Sequence, residues 1–134
     1  MVPVRDGAFA WVDGDHGGLT LLMDRLVEAA SAPAGHDAVQ DLLLLLVDAS
    51  TDHFSSEQEL MRAVDYPAYE GHASEHDWFL GHVSRLLENH SRGKAHLTLE
   101  LARSLKPWLQ EHTQTHDEAL LEYARAYDPS GLSG

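Results

Sequence analysis

Apolar residues recur every three or four positions along most of this chain, the spacing expected of one face of an α-helix. Alternating runs of β-branched residues, which would predict strands, are missing from the sequence. Turn-forming residues interrupt the pattern, so we expect four helices joined by short connections. Helices connected in this way pack as antiparallel neighbours, and the sequence predicts an all-α, up-down-up-down antiparallel four-helix bundle. The predicted helices run from about Asp15 to Ala30, from His36 or Asp37 to Val64, from Pro67 to His90, and from Ala95 to Tyr127.

The same spacing assigns core-facing residues to the first three helices. Two features oppose regular helix. Gly17 and Gly18 each cost about 0.8–1 kcal/mol relative to alanine, and Pro107 lacks the amide hydrogen that would bond to the carbonyl of Arg103. We therefore expect a kink or a helix restart at Pro107. The core candidates are Leu19, Leu22, Met23 and Leu26, then residues 42–47 with Phe54, Leu60 and Met61, then Trp78, Phe79, Val83, Leu86 and Leu87.

The length of 134 residues fits one domain, and no repeat, low-complexity segment or internal linker is visible. The sequence therefore predicts a single domain over residues 1–134. Within it, we expect residues 1–12 to form an N-terminal arm, and residues 128–134, which are rich in serine and glycine, to form a disordered tail.

Charge and composition exclude several classes of protein. The net charge of −13 argues against binding to nucleic acid or to anionic membrane surfaces. The longest apolar run, residues 42–47, is too short to span a bilayer, and residues 1–10 lack the apolar segment of a signal peptide. The absence of cysteine excludes iron–sulfur clusters, zinc–thiolate sites and disulfides. We expect a cytoplasmic monomer that binds neither nucleic acid nor membrane.

Histidine is unusually frequent, with 10 histidines against nine lysines and arginines together. His53 and Glu57 lie four residues apart on the second predicted helix, and His72 and His76 lie four apart on the third. Residues at this spacing are separated by roughly 40° around a helix, so each pair points to one side. His16 and His112 place a histidine on each remaining helix. Imidazoles with carboxylates and no sulfur suit iron, and less specifically zinc, copper or manganese, in the core of a bundle.

Each of these pairs has a plainer interpretation as well. A single His–Glu pair on a helix is more often a surface pair or a core contact than a metal site. Helical spacing also favours His116 over Asp117 as the partner of His112, because five residues subtend about 140°. The remaining histidines lie at helix ends or away from these registers, and we expect them to face solvent or to cap helices; they are His36, His82, His90 and His96.

The order of these residues resembles the hemerythrin family in its bacterial single-domain form. The resemblance extends from about Asp13 to Asp117. Three motifs carry it: an opening Asp13 and His16, a dense central run, and a closing motif in which tryptophan precedes histidine by four residues and aspartate follows by five. The central run is His53-Phe54-Ser55-Ser56-Glu57, Met61, Tyr66-Pro67, His72, Glu75-His76 and Phe79, and the closing motif is Trp108-Leu109, His112 and Asp117.

The resemblance implies a non-haem di-iron centre. One iron would be held by His72, His76 and His112, and the other by His16 and His53. Glu57 and Asp117 would bridge the two irons, together with an oxo or hydroxo group. The first iron then has six ligands and the second about five, which leaves one octahedral position open. Dioxygen would bind reversibly at that position, so the resemblance implies an oxygen carrier, store or delivery protein and not an enzyme.

Reversible binding requires an apolar pocket. The candidates for its lining are Leu19, Met23, Phe54, Trp108 and Leu109, for each of which ordinary core packing is the alternative. The sequence departs from the family pattern at Asp15, where glutamine is usual, at Gly17-Gly18, and at Gln58, where a second glutamate is common. The five-residue step from His112 to Asp117 suggests a π-bulge after His112, a feature that favours functional sites.

Three other functions remain open. The same centre could serve an oxygen- or redox-sensing module, or an enzyme acting on peroxide or nitric oxide. Such an enzyme needs a polar proton donor beside the open position, for which Asp15, His116 and Tyr123 are the candidates. Iron storage is weaker, because nothing in the sequence suggests a cage-forming surface.

Overall fold

The computed structural model describes residues 10–32 and 35–127, and these residues form helices without any strand. Each helix packs against its neighbours in sequence, and the first also packs against the fourth, which closes an antiparallel bundle. The predicted fold class is confirmed. The first three helices are α1 (Ala10–Ser31), α2 (His36–Ala63) and α3 (Tyr69–Ser91). The fourth consists of α4 (Ala95–Arg103), α5 (Leu105–His112), a π-helical turn (Thr113–Asp117) and α6 (Glu118–Ala126).

The connections are short because α2 and α3 end abruptly. Asp65 and Gly93 follow these helices with positive φ angles of 49° and 75°. The next amide in each case donates a 2.9 Å hydrogen bond to a carbonyl five residues back, Tyr66 to Met61 and Lys94 to Asn89. This left-handed cap satisfies the last carbonyls of a helix and reverses the chain.

Helix α1 begins at Ala10, five residues before the predicted start. Val12 explains the difference, because it is buried against Val64, Leu121 and Ala124 at the far end of the bundle. This packing outweighs the low helix propensity of the glycines that follow. Residues 10–12 of the predicted arm are thus helical, whereas residues 1–9 and the predicted tail at 128–134 lie outside the described residues. The assignment of residues 1–134 to a single domain stays a prediction.

The predicted interruption at Pro107 is confirmed. The helix breaks at Ser104, whose amide and hydroxyl both donate to the carbonyl of Leu101, and it resumes at Leu105. Pro107 is then the third residue of α5, where an amide would have no partner within the helix.

The core forms two apolar clusters separated along the helices by a polar layer. The larger contains Leu19, Met23, Leu43, Phe79 and Leu86, among others. The smaller contains Val12, Val64, Leu121 and Ala124. On α1, the single histidine, His16, lies between the two. The bundle therefore encloses its polar layer between two apolar clusters.

Five expectations about single side chains were wrong. Trp78, Leu44 and Leu45 were expected in the core but are 48%, 47% and 53% exposed. His82 and His90 were expected to face solvent and are buried, because they follow the buried Phe79 and Leu86 by three and four residues on the same side of α3. His82 Nε2 lies 3.0 Å from Ser104 Oγ, and His90 Nε2 donates to the carbonyl of His36, 2.7 Å away.

The other two histidines that were expected to face solvent or cap helices are His36 and His96. His36 is exposed, as expected, and the side chain of His96 is not among those that the structure describes. Of the remaining core candidates, Leu22, Leu60 and Leu87 are partly buried. None of the helices in residues 10–32 and 35–127 has the length and hydropathy needed to cross a bilayer.

Candidate metal centre

The seven residues predicted as metal ligands meet in the polar layer, and all of them are buried. Helix α1 contributes one, α2 and α3 contribute two each by the spacing of four, and the fourth helix contributes two. They are His16, His53, Glu57, His72, His76, His112 and Asp117.

These side chains fall into two sets that share both carboxylates. In the first set, Glu57 and Asp117 meet His72, His76 and His112, and in the second they meet His16 and His53. Within each set, one potential ligand atom per residue lies within 4.8 Å of the others. The two sets could therefore hold cations at adjacent positions.

The carboxylate oxygens are divided between the two sets. Asp117 Oδ1 lies 3.0 Å from His72 Nε2 and 3.1 Å from His112 Nε2, whereas Asp117 Oδ2 lies 2.8 Å from His16 Nε2. Glu57 behaves in the same way, with Oε1 2.9 Å from His76 Nε2 and Oε2 3.5 Å from His53 Nε2. Each carboxylate thus offers one oxygen to each site, as a bridging ligand does.

Many of these atoms have no hydrogen-bond partner among the described residues, although they are fully buried. They include Nε2 of His16, His53, His72 and His112, one oxygen of Glu57 and both oxygens of Asp117. A buried polar atom left in this state costs about 1–3 kcal/mol. Metal ions would satisfy all of them together, and a donor set of nitrogen and oxygen without sulfur fits iron. The residues therefore fit two metal ions.

A π-helical turn brings Asp117 to the site. The amide of Glu118 donates to the carbonyl of Thr113, five residues back, so the chain here has about 4.4 residues per turn. Asp117 consequently faces the same side as His112, and the predicted π-bulge is confirmed. His116, which regular helical spacing favours, lies instead 3.3 Å from Glu75 near the surface. Only the family motif indicated Asp117.

Outer hydrogen bonds orient several of the histidine rings. Nδ1–H of His53 donates to Asp15 Oδ2 at 2.9 Å, and Nδ1–H of His76 donates to Gln58 Oε1 at 3.1 Å. A proton held on Nδ1 leaves the lone pair of Nε2 facing the site, and such partners tune the donor strength of the ligand. Asp15 and Gln58 are two of the positions at which the sequence departs from the family pattern, and each accepts a hydrogen bond from a candidate ligand histidine.

Short contacts with the histidines keep the carboxylates ionised. Burial alone would raise the pKa of Glu57, but the close imidazoles of His53, His72 and His76 outweigh it and lower that pKa to about 2. The same opposition, with His112, His16 and His72 as partners, holds the pKa of Asp117 well below its usual range. Both groups are therefore charged and able to bind a cation at neutral pH.

The histidines respond to burial in different ways. Burial would lower the pKa of His72, but Asp117 and Glu57 raise it to about 9. The pKa of His76 is lowered, because burial outweighs the influence of Glu57. His72 therefore holds a proton at neutral pH when no metal competes for it.

Apolar and aromatic side chains cover the layer. Phe54 stacks on His76 with ring centroids 4.0 Å apart, and Trp108 stacks on His112 at 4.7 Å. Of the candidate lining residues, Trp108 is partly buried, while Leu19, Met23, Phe54 and Leu109 are buried. These side chains keep water away from the histidines they touch.

A surface groove of about 330 Å³ leads to the second set of ligands. Its lining includes Gly14, Asp15, Gly18, Ala49 and His53. No side chain approaches the position that a Cβ on Gly14 or Gly18 would occupy, so the missing side chains leave the groove open. This groove therefore borders the set that contains His53.

Comparison with known proteins gives consistent matches. The family model described as Hemerythrin HHE cation binding domain matches residues 8–124. A bacteriohemerythrin of Stenotrophomonas maltophilia (strain R551-3) is 26% identical over 116 residues, which cover 87% of this chain and 74% of that protein. A bacteriohemerythrin of Aquifex aeolicus (strain VF5) is 36% identical over 77 residues, which cover 54% of this chain and 56% of that protein.

One solved structure is also similar. It is a crystal structure of wild-type hemerythrin, with a TM-score of 0.79 and 23% sequence identity. The match covers 87% of this chain and 89% of that chain. At this level of identity, the likeness shows a shared fold.

Proposed function

This chain belongs to the hemerythrin family, and we propose that its buried layer holds two iron ions and binds dioxygen reversibly on the side that faces the groove at His53. Its role would be that of an oxygen carrier, store or delivery protein. The observation that carries the proposal is the division of the Glu57 and Asp117 oxygens between two sets of histidines. A single-metal site would need only one of the two sets.

The two sets differ in a way that favours binding of a small ligand. One set has five residues and the other has four, and a bridging oxygen derived from solvent would add one ligand to each. An octahedral metal held by the smaller set would keep one open position, which is the condition for ligand binding. That set contains His16 and His53, and it is the set next to the groove. Two irons bound by these residues would supply the electrons that hold dioxygen there.

The residues of this chain support reversible binding by what they exclude. Leu19, Phe54 and Leu109 provide buried apolar surface at the boundary of the layer. Two of the three candidate proton donors are directed elsewhere, since His116 contacts Glu75 and the ring of Tyr123 packs at 5.3 Å from that of Tyr66. Asp15 lines the groove, but its carboxylate accepts a hydrogen bond from the outer nitrogen of His53. This arrangement favours carriage over turnover of peroxide or nitric oxide.

A sensing role is the second candidate, because of Asp15. A carboxylate that accepts from a ligand imidazole increases the electron density on that ligand and stabilises the oxidised metal. The hydrogen bond from His53 to a 45% exposed Asp15 would therefore favour a centre that oxidises readily. Slow reversal in the oxygen experiment described next would support this candidate.

Oxygen binding can be tested directly. Iron-loaded protein would be reduced without air, mixed with air, and then purged with argon while visible absorption is recorded. A charge-transfer band that appears with air and disappears under argon supports reversible binding. Immediate loss of the reduced state without such a band, accompanied by consumption of peroxide, would contradict it in favour of an enzyme.

We also propose that the chain works as a monomer in the cytoplasm. The net charge of −13 supports this, because like-charged surfaces repel one another. Sedimentation equilibrium would measure the mass in solution, and a value above 14.8 kDa plus metal would contradict a monomer.

A further inference from the structure

A column of stacked rings connects the surface to the candidate metal centre. Trp78, which is 48% exposed, stacks on Trp108 with centroids 5.8 Å apart and planes 16° apart. Trp108 stacks on His112 at 4.7 Å and 11°. His112 in turn presents Nε2 to Asp117 at 3.1 Å. The column therefore begins in solvent and ends at a residue that would bind metal.

Contacts on α3 and α5 hold the outer ring in place. Trp78 also stacks on His82, with centroids 5.1 Å apart and planes 13° apart, and His82 is fixed in turn by Ser104 Oγ at 3.0 Å. A half-exposed tryptophan without such contacts would sample several rotamers. Its indole plane is instead kept nearly parallel to that of Trp108, which preserves overlap between the π systems.

The exposed end of the column opens into an acidic groove. This groove has a volume of about 240 Å³ and is lined by Glu75, Trp78, Trp108, Glu111 and His112. Two of its five lining residues are carboxylates, and none is lysine or arginine. A cation or a basic surface is attracted to such a groove, and a phosphate is repelled.

We propose that this groove is the site at which electrons reach the centre, by docking of the basic face of a small electron-transfer protein against Trp78. Electrons would pass from the partner through Trp108 and His112. The inference rests on the proposed function. An iron pair that stays oxidised after dioxygen has left cannot bind dioxygen again until a donor replaces the lost electrons. At 240 Å³, the groove is smaller than the roughly 300–1,000 Å³ of a typical pocket for a small organic molecule, which favours surface docking over a bound nucleotide cofactor.

The electron balance is simple. Each encounter oxidises one donor by one electron and reduces one Fe(III) to Fe(II). A fully oxidised pair therefore needs two encounters, and no bond in the protein forms or breaks.

The first test measures the rate of reduction. Oxidised, iron-loaded protein would be mixed with hexaammineruthenium(II), a cationic one-electron donor, in a stopped-flow instrument. Trp78→Leu keeps apolar contact with Trp108 but removes the ring, and reduction should slow about tenfold. Trp78→Phe restores a ring and should recover most of the rate. Tyr123→Leu, which removes another exposed aromatic ring that lies off the column, should leave the rate unchanged.

The second test separates docking from electron transfer. Glu111→Gln should slow reduction by the ruthenium cation and weaken its salt dependence, but should not slow reduction by anionic dithionite. Glu122→Gln, an exposed glutamate on α6 outside the groove, is the matched control. In the metal-free protein, hexaamminecobalt(III) should shift the indole N–H resonance of Trp78 in a ¹H–¹⁵N spectrum, and Glu111→Gln should reduce that shift.

The outcomes distinguish this proposal from the proposed function. A wild-type rate in Trp78→Leu that still binds iron, or equal slowing in Tyr123→Leu, would overturn the electron path. An unshifted Trp78 resonance would overturn the docking site. A wild-type protein that binds no iron would overturn the proposed function and the electron path with it, while the cobalt titration would still decide whether the groove attracts cations.

Discussion

The carboxylate of Asp15 accepts a 2.9 Å hydrogen bond from Nδ1 of His53, which lies 38 residues further along the chain. We expect Asp15→Asn, which keeps an acceptor oxygen but removes the charge, to weaken metal binding about tenfold and to raise the reduction potential of the centre. Titration against a chelator and redox titration would measure the two effects. Asp52→Asn, at the same groove but without this hydrogen bond, should change neither quantity. Equal effects in the two variants would refute a specific role for Asp15.

Glu57, like Asp117, belongs to both sets of candidate ligands. Glu57→Gln keeps the volume and loses the charge, so we expect the iron content to fall below two ions per chain while the helical circular-dichroism signal persists. Glu59→Gln, exposed on the same helix, should retain the full iron content. Two tightly bound ions in Glu57→Gln would show that the bridging assignment is wrong.

The metal-free protein should be most stable between about pH 4.5 and 6.5. The pKa of His72 is raised from 6.5 to about 9, so its contribution is complete below pH 6.5 and is lost as the pH rises through 9. The pKa of Glu57 is lowered from 4.5 to about 2, so its contribution is complete above pH 4.5 and is lost as the pH falls through 2. The pKa of His76 is lowered, so its effect on stability is confined to pH values below 6.5 and does not change the alkaline loss.

Urea unfolding at a series of pH values would measure this profile. Metal-free His72→Gln should lose most of the decline between pH 6.5 and 9, and iron should abolish it in the wild type, because a metal ligand has already released its proton. A metal-free wild type whose stability is flat across that range would contradict the assignment of the proton to His72.

Gly18 lines the groove that leads to His53, whereas its neighbour Gly17 does not. Both glycines lie on α1 with no side chain close to where a Cβ would stand. Leucine at either position should therefore stabilise the helix by up to about 1 kcal/mol. Only Gly18→Leu should also slow oxygen association, because its side chain would enter the groove. Flash photolysis or stopped-flow mixing would compare the variants, and equal association rates would exclude the groove as the path.

Helical spacing was sufficient to predict the bundle and two of the ligand pairs. Leu19 and Met23 on α1, and Phe79 and Leu86 on α3, repeat with the period of a helix face, and the pairs His53/Glu57 and His72/His76 share that period. Asp117 does not, because a π-helical turn alters the angle per residue, and only a family motif could indicate it. Periodicity also cannot decide between adjacent positions at the edge of a buried face, which is why Trp78 was assigned to the core and His82 to the surface.

The outer partners of the histidines were not predictable from spacing. The contact between Asp15 and His53 depends on how α1 and α2 are rotated against each other, and the sequence of one helix does not contain that rotation. Asp15 and Gln58 were visible only as departures from a family pattern. Their roles became clear once the nitrogens they face were known.

The π-helical turn at Thr113–Asp117 has a consequence for how such a centre can arise. Its wider turn accommodates one residue more than a regular α-helix would, and Leu120, Leu121 and Ala124 beyond it still reach the core. A single inserted codon could therefore turn a plain structural helix into one that presents Asp117 beside His112, while the packing on both sides is retained. The centre and the scaffold that carries it can in this respect change independently.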